Sequence, residues 1–351
     1  MIPSTRLITQ QLLNPSFNNA KDLVSWMGAI QGQDYTMVKW ALGVRLQAST
    51  YNDVQLSFQR ADIIRTHILR PTWHLVAAED LRWMLSLSGE RLSRSCKLYG
   101  DKMISDKKVY TKIYNLFEKL LAGNNHLTKQ EINTEIIRIG IPTENHLLNN
   151  FLMAAEGDGI ICSGADKGNK PTFALLEERV PPQKKRTKQE ALAELALRYF
   201  KSHSPASFND FLWWSGLNIS EAREAVNLLG SDLIKDRFAG YDLYIHQSCP
   251  ALQEYDDLLH FLPPYDEYLI SYKDRTAALE LVHHPKAFTN YGIFYPVIMY
   301  NGRIVGNWKK ISKKGTISIE TIFFDKKTKV KKALLKAAEE RYKAFYSSSS
   351  K

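Results

Sequence analysis

The sequence has few cysteines, and the three it has lie far apart, at Cys96, Cys162 and Cys249. None of them belongs to a CxxC pair, the spacing typical of zinc fingers and redox sites. The wide spacing also argues against a disulfide framework and suits a reducing compartment. We therefore expect a cytoplasmic protein without disulfides.

Long hydrophobic runs are also missing. No apolar run approaches the roughly 18–20 residues that a membrane-spanning helix needs. The N-terminal segment MIPSTRLITQQLL has an early proline, a single arginine and no small-residue cleavage site, unlike a secretory signal. We therefore expect neither secretion nor a membrane partner.

What the sequence has in excess is positive charge. Its 351 residues carry a net charge of +10, and 44% hydrophobic with 24% charged residues is typical of a globular chain. The length allows two or three domains of about 100–150 residues each. A strongly basic chain often binds a polyanion, but charge alone fits equally well a basic protein with no such partner.

The clearest fold signal lies in residues 204–229, SPASFNDFLWWSGLNISEAREAVNLL. Apolar residues at helical spacing precede a tight turn at Gly216. Asn218, with Glu221 three residues later, resembles a capping box that opens a second helix. The following LIKDRFAGYDLYIHQ predicts a β-hairpin around Ala239-Gly240. A helix-turn-helix followed by a hairpin is a winged helix.

The same order of elements occurs in two earlier stretches, residues 20–77 and 127–176. In the first, Thr50 with Asp53 three residues later predicts a helix cap, and helical patterns precede the strand-turn-strand sequence IIRTHILRPTWHLV. In the second, Thr128 begins a capping box, Pro142-Thr143 opens the next helix, and IICSG and FALL form a hairpin. These repeats are too long and too divergent for a solenoid, so tandem winged helices are the better interpretation.

After residue 255 the pattern changes to that of a small α+β domain. FYPVIMY and RIVGNWKK flank Asn301-Gly302, which is typical of a hairpin with a type I′ turn. The predicted fold is helix-rich α+β, with three tandem winged helices and a C-terminal α+β domain. The predicted boundaries are residues 1–80, 81–180 and 190–250 for the winged helices, 181–189 for a basic linker, 251–346 for the last domain and 347–351 for a disordered tail.

Several segments, in the right order, carry a resemblance to a known family: GAIQGQDYTMVKWALGVRL, LRPTWHLVAAEDLRWML, SPASFNDFLWWSGLNISEAREAV, and LPPYDEYLISYKDR with NGRIVGNWKK. Over nearly its whole length the chain resembles the AlkZ/YcaQ-like winged-helix DNA glycosylases. The resemblance implies a monofunctional glycosylase that excises alkylated purines, crosslinked ones included, from double-stranded DNA, with no metal and no cofactor. We also expect a monomer that is nucleoid-associated when bound to DNA.

The resemblance implies that Gln31 and Gln33 are catalytic, because the family's signature at this place is Gln-x-Gln or Gln-x-Asp. Gly32 departs from the apolar side chain usual at the middle position. Cleavage of an N-glycosidic bond passes through an oxocarbenium-like sugar. A neutral amide is no strong base, but it can hold a water against C1′, which suffices where the base already leaves well. The pair therefore predicts selectivity for cationic N3- and N7-alkylpurines, and the lack of a lysine in the motif favours hydrolysis over a Schiff base.

Asp34 directly follows the pair and leaves two interpretations open. In a helical turn it would share a face with Gln31 and could be the general base. In an extended segment it would point away from both glutamines, and its carboxylate could cap a helix beginning near Tyr35. We favour the cap.

Residues that could contact DNA lie mainly on the first hairpin, where cations flank an aromatic side chain. Phosphate contacts by the arginines and stacking by the tryptophan are the functional interpretation, and packing of that tryptophan in a domain core is an equal alternative. The two histidines of the hairpin have no third ligand nearby, so we do not expect them to bind a metal. For the cations elsewhere the alternative is a solvated surface. The candidate contacts are Arg65, His67, Arg70, Thr72, Trp73, His74, Arg223, Lys309 and Lys310.

Two other functions fit the same sequence. A non-enzymatic winged-helix DNA-binding protein, such as a transcriptional regulator, would use the same fold. A family member could also bind damaged DNA without catalysis. The glutamine pair and the lack of an evident dimerisation segment favour the enzyme, since regulators usually dimerise on palindromic sites. Asp266 in LPPYDEY also matches the family pattern, without an assigned role.

Overall fold

The computed structural model describes residues 2–238, 240–251, 255, 257–313 and 316–347. The chain forms two compact units, each built from separate stretches of the sequence. The first unit comprises residues 1–55, 196–214 and 229–351, and the second comprises residues 56–195 and 215–228.

The N-terminal part of the chain forms the short helices and the hairpin that the sequence predicts. Thr50 and Asp53 exchange hydrogen bonds at a helix start, from Asp53 N to Thr50 Oγ1 at 3.2 Å and from Thr50 N to Asp53 Oδ2 at 2.8 Å. This reciprocal cap is the predicted one. The elements are α1 (Ile2–Thr9), α2 (Ala20–Met27), β1 (Ile30–Gln31), α3 (Val38–Gly43), α4 (Tyr51–Gln59), β2 (Ile63–Ile68) and β3 (Thr72–Ala77), with β2 and β3 paired antiparallel.

A long helix, α5 (Ala78–Met103), follows the hairpin and is not among the predicted elements. Its buried face includes several small residues, Ser88, Gly89 and Ser93 among them. A Cβ on Gly89 would lie 2.2 Å from the carbonyl oxygen of Gly157, the last residue of the helix Leu147–Gly157. The two helices can approach this closely only because the position is a glycine.

The second predicted helix-turn-helix and its hairpin are also present. The capping box predicted at Thr128 is formed. The following helix begins at Leu147 and not at Pro142-Thr143, because Asn145 and His146 have left-handed φ angles of 51° and 67°. The elements are α6 (Val109–Leu121), β4 (Leu127–Thr128), α7 (Lys129–Arg138), α8 (Leu147–Gly157), β5 (Ile161–Ser163) and β6 (Thr172–Leu175), with sheet order β4-β6-β5.

The third helix-turn-helix forms with its predicted cap, since Asn218 Oδ1 accepts the amide of Glu221 at 2.9 Å. The predicted linker 181–189 is without helix or strand as far as Lys188, where the next helix begins. Ala239, at the predicted hairpin turn, lies outside the described residues. The elements are α9 (Leu176–Arg179), α10 (Lys188–His203), α11 (Phe208–Ser215), α12 (Ile219–Leu228), β7 (Leu233–Phe238) and β8 (Tyr241–His246).

The C-terminal part is built around an antiparallel sheet. Asn301 and Gly302 have φ angles of 47° and 77°, as the predicted type I′ turn requires. Of the predicted tail, Ser347 ends the last helix, and residues 348–351 lie outside the described residues. The elements are β9 (Leu259–Leu262), α13 (Glu267–Ile270), α14 (His284–Ala287), β10 (Val297–Tyr300), β11 (Arg303–Lys313), β12 (Thr316–Phe323) and α15 (Lys332–Ser347), with sheet order β12-β11-β10-β9.

Aromatic packing in the first unit joins α3 to the C-terminal helix. The ring of Trp40 lies 5.0 Å from that of Tyr342 and 5.3 Å from that of Phe345, in both cases edge to face. This packing fixes the helix that follows the Gln31–Asp34 segment. Among the residues that the structure describes, no helix is both long and apolar enough to cross a membrane.

Candidate active site

The two glutamines of the Gln-x-Gln motif lie in different environments. Gln31 ends β1 and is 4% exposed, whereas Gln33 is exposed. Alternation along a straight strand would place both side chains on one face, so the difference in exposure reflects the bend that begins after β1. One side-chain amide is therefore buried, and the other reaches the solvent.

A buried carboxylate holds the backbone of the motif. The amide of Gln31 donates to Glu267 Oε1 at 2.6 Å, and Glu267, the first residue of α13, is 1% exposed. A charged acceptor makes this a strong hydrogen bond. The position of Gln31 is therefore tied to a residue that is distant in sequence.

A buried histidine lies on the other side of this carboxylate. His203 Nε2 is 3.6 Å from Glu267 Oε2, and His203 Nδ1 is 2.8 Å from the hydroxyl of Ser202. Burial lowers the pKa of His203 below its ordinary value, although the neighbouring Glu267 acts in the opposite direction. Burial at this position therefore favours the neutral imidazole over the charged one.

Asp266 anchors the short helix that carries Glu267. Its two carboxylate oxygens accept from the guanidinium of Arg45 at 2.7 and 2.8 Å, and both side chains are almost fully buried. Asp266 also caps α13 by accepting the amide of Tyr268 at 2.9 Å. The family-like LPPYDEY segment thus has a supporting role, because it fixes α13 and through it the backbone of Gln31.

The carboxylate of Asp34 caps the turn that leads into α3. Its Oδ1 accepts the amide of Thr36 at 3.0 Å and that of Met37 at 2.9 Å. These contacts form the cap that the sequence favoured, although α3 begins at Val38 and not near Tyr35.

Most candidate contacts on the β2–β3 hairpin are engaged within the second unit. His67 Nδ1 is 2.6 Å from the buried carboxylate of Glu156. Trp73 packs against the core of this unit, and the guanidinium of Arg65 lies 4.0 Å from its ring centroid. His74 is fully buried, and burial lowers its pKa to about 3. This burial argues against His74 as a DNA contact.

The other predicted contacts are more accessible. Arg70 and Thr72 are half-buried beside the turn between β2 and β3, and Arg223 is exposed on α12, all three in the second unit. Lys309 and Lys310 are exposed on β11 in the first unit, which also carries the glutamine pair. The structure thus divides the predicted site residues between the two units.

Sequence reasoning missed Glu267 and His203. Glu267 is adjacent to Asp266 in the quoted LPPYDEY segment, but its partner Gln31 is 236 positions away. No local pattern distinguishes it from an ordinary helix-start glutamate. Only the folded chain brings the two together.

Comparison with a solved structure tests the predicted fold. The DNA glycosylase AlkZ of Streptomyces sahachiroi superposes with a TM-score of 0.78 at 17% identity, over 98% of this chain and 95% of that one. This likeness confirms the predicted α+β, helix-rich fold.

The family model named DNA glycosylase AlkZ-like matches residues 24–345, and the chain belongs to this family. The interstrand DNA cross-link repair glycosylase of Streptomyces sahachiroi is 22% identical over 323 residues, which are 87% of this chain and 86% of the relative. The family membership inferred from the motifs is confirmed. The protein is a DNA glycosylase, a hydrolase acting on N-glycosyl bonds.

Proposed function

We propose that this glycosylase hydrolyses the N-glycosidic bond of alkylated purines in double-stranded DNA, including purines held in interstrand crosslinks. Gln31 and Gln33 position the attacking water. The observation that carries the proposal is the Gln-Gly-Gln segment whose first backbone amide is fixed by the buried carboxylate of Glu267. We expect the enzyme to act as a monomer in the cytoplasm.

The chemistry of the pair defines the substrate. An amide oxygen can accept a hydrogen bond from water and orient it towards C1′, but it cannot remove a proton as a strong base would. The reaction therefore depends on a leaving group that needs little help, and N3- and N7-alkylpurines leave readily because they are cationic. Neutral bases have no such advantage and are poor substrates.

Asp34 supports the site and is not its base in this proposal. One of its carboxylate oxygens already accepts two backbone amides, which fixes the turn between Gln33 and α3. A carboxylate with an oxygen engaged in this way is poorly placed to take a proton from water. The side-chain amides of Gln31 and Gln33 hold the water, and Asp34 fixes the turn that follows them.

The exposed cations supply the contacts to phosphate. Lys309, Lys310 and Arg223 are exposed, and phosphate contacts need side chains that reach the surface. Arg70 and Thr72, half-buried at the hairpin turn, complete this set. Arg65, His67, Trp73 and His74 instead stabilise the second unit through their packing and hydrogen bonds.

The test is single-turnover release of 7-methylguanine from methylated duplex DNA, comparing the wild type with Gln31→Ala and Gln33→Ala. We expect release by the wild type and at least a 100-fold slower rate in each variant, with affinity for the DNA retained. Gln47→Ala is a matched control, since Gln47 is an exposed glutamine of the same unit outside the motif.

A second set of substrates follows if 7-methylguanine is not released. Duplexes that carry bulkier N3- and N7-alkylpurines or crosslinked purines are then compared under the same conditions. Release of any of these, lost in the glutamine variants, supports the proposed chemistry. Wild-type rates in both variants would show that the water is held by other groups.

A further inference from the structure

A short aromatic hairpin follows α14, and we refer to residues 288–294 as the aromatic turn. Phe288 and Phe294 face each other as an isolated antiparallel β-bridge, with ring centroids 5.1 Å apart and nearly parallel. Thr289 N donates to Ile293 O at 2.8 Å, which closes the turn. Tyr291 lies at its tip and is 94% exposed.

The base of the aromatic turn is firmly supported. The guanidinium of Arg275 lies 4.9 Å from the ring centroid of Phe288 and 5.2 Å from that of Phe294. Arg275 Nε donates to the carbonyl of Leu269 at 2.9 Å. Leu269 belongs to α13, the same helical turn whose Glu267 holds the amide of Gln31. The aromatic turn and the catalytic motif therefore share one support.

A second connection runs through Tyr265. Its ring centroid lies 6.0 Å from that of Phe294. Burial, and then the charge of Asp34, raise the pKa of Tyr265. Tyr265 has a left-handed φ of 59°, a conformation that a tyrosine keeps only when its surroundings hold it. Because Tyr265 directly precedes Asp266 at the start of α13, this contact ties the aromatic turn to the same helical turn as Arg275 does.

The exposed surface of this region is apolar, with cations beside it. Leu281 and Val282, just before α14, are 70% and 71% exposed. Lys273 and Lys286 are exposed nearby in sequence. DNA-binding proteins can insert exposed apolar side chains between base steps. Because the chain carries a net charge of +10 and acts on DNA, the partner that fits is the interior of a base stack bordered by phosphates.

We propose that Tyr291 inserts into the duplex beside the target nucleotide and fills the gap left when the alkylated base is flipped out. Enzymes that act on a base inside a duplex must unstack it, and an inserted aromatic ring replaces the lost stacking. The aromatic turn is rigid enough for this task because the Phe288–Phe294 pair and Arg275 hold its base. The proposal rests on the proposed function, since it assumes that the lesion is presented to Gln31 and Gln33.

The experiment compares Tyr291→Ala and Tyr291→Phe with the wild type on one lesion in two settings. In one the 7-methylguanine is paired in a duplex, and in the other it lies in an unpaired bubble. We expect Tyr291→Ala to slow single-turnover release at least tenfold from the duplex but less than threefold from the bubble. Tyr291→Phe keeps the ring and should retain most of the duplex rate. Ile234→Ala, at another exposed apolar residue of the first unit, should match the wild type on both.

A fluorescence signal of base flipping accompanies the rates. A 2-aminopurine in place of the lesion should become brighter when the wild type or Gln33→Ala binds, because flipping removes its stacked neighbours, but not when Tyr291→Ala binds. Wild-type rates for Tyr291→Ala in both settings, or an equal loss in both, would overturn the role of Tyr291. If the glutamine variants release base normally while Tyr291→Ala still loses the 2-aminopurine signal, the proposed chemistry fails and the insertion stands.

Discussion

At the scale of single residues, the candidate site depends on a carboxylate outside its motif. Glu267 is buried, accepts the amide of Gln31 at 2.6 Å and lies 3.6 Å from His203. It touches the backbone of Gln31 and acts on the reaction only by fixing where the glutamine side chains lie. It is therefore a positioning residue.

We expect Glu267→Ala to lower both stability and activity. The variant leaves the buried Gln31 amide without its acceptor, which should reduce the free energy of unfolding by about 1–3 kcal/mol. The single-turnover rate should fall while the affinity for undamaged DNA stays unchanged. Denaturant unfolding and base release measure the two effects.

The conservative variant separates positioning from charge. Glu267→Gln keeps an oxygen that can accept the Gln31 amide, so it should restore most of the rate and stability. Glu340→Ala, at an exposed glutamate of α15, is the control and should behave as wild type. A fully active and stable Glu267→Ala protein would show that the 2.6 Å contact positions nothing.

Residues with local partners were the predictable ones. The caps at Thr50, Thr128 and Asn218 and the type I′ turn at Asn301-Gly302 each depend on a few adjacent positions, and all are formed. Glu267 was not predictable, because its partners are contributed by distant parts of the chain.

At the scale of elements, the hairpins and helix-turn-helix segments were predicted and α5 was not. Helix α5 packs on α8 through positions that include Gly89 and Ser93, so small residues interrupt the large apolar side chains of its buried face. Small residues permit close approach of two helices, but the sequence of one helix does not show that another packs against it. The sequence signal was therefore weak where the packing is closest.

For Gly89→Ala, packing and helix propensity are expected to change the stability in opposite directions. Alanine is normally favoured over glycine inside a helix by about 1 kcal/mol. At Gly89 the added Cβ would lie 2.2 Å from the carbonyl oxygen of Gly157, so we expect Gly89→Ala to destabilise the second unit by about 1–3 kcal/mol. Urea unfolding and hydrogen exchange of the α5 and α8 amides measure the change.

The control for this variant is Ser95→Ala on the exposed face of the same helix. It should leave stability unchanged or raise it slightly, because alanine has the higher helix propensity. An increase in stability for Gly89→Ala as well would mean that α5 and α8 can separate without cost.

At the scale of the whole molecule, the net charge of +10 predicts the sign of the partner but not the surface that meets it. The structure shows which of the predicted DNA-contacting cations are exposed. Arg65 lies over Trp73, and His74 is buried, whereas Arg223, Lys309 and Lys310 remain exposed. The net charge follows from composition and can be read from the sequence. Whether a given cation can reach a phosphate depends on the fold, so it could not be predicted.

The salt dependence of DNA binding tests whether the exposed cations of β11 contact phosphates. Each phosphate contact contributes about 0.9 to the slope of log affinity against log salt concentration. The double variant Lys309→Ala/Lys310→Ala should therefore reduce the magnitude of the slope by about 2 and weaken binding to damaged and undamaged duplexes alike. The double variant Lys112→Ala/Lys119→Ala removes the same charge from exposed positions of α6 in the second unit. If both double variants change the slope equally, the DNA responds to the total charge of the protein and β11 makes no specific contact. If only Lys309→Ala/Lys310→Ala changes the slope, the phosphates lie along β11, in the unit that carries Gln31 and Gln33.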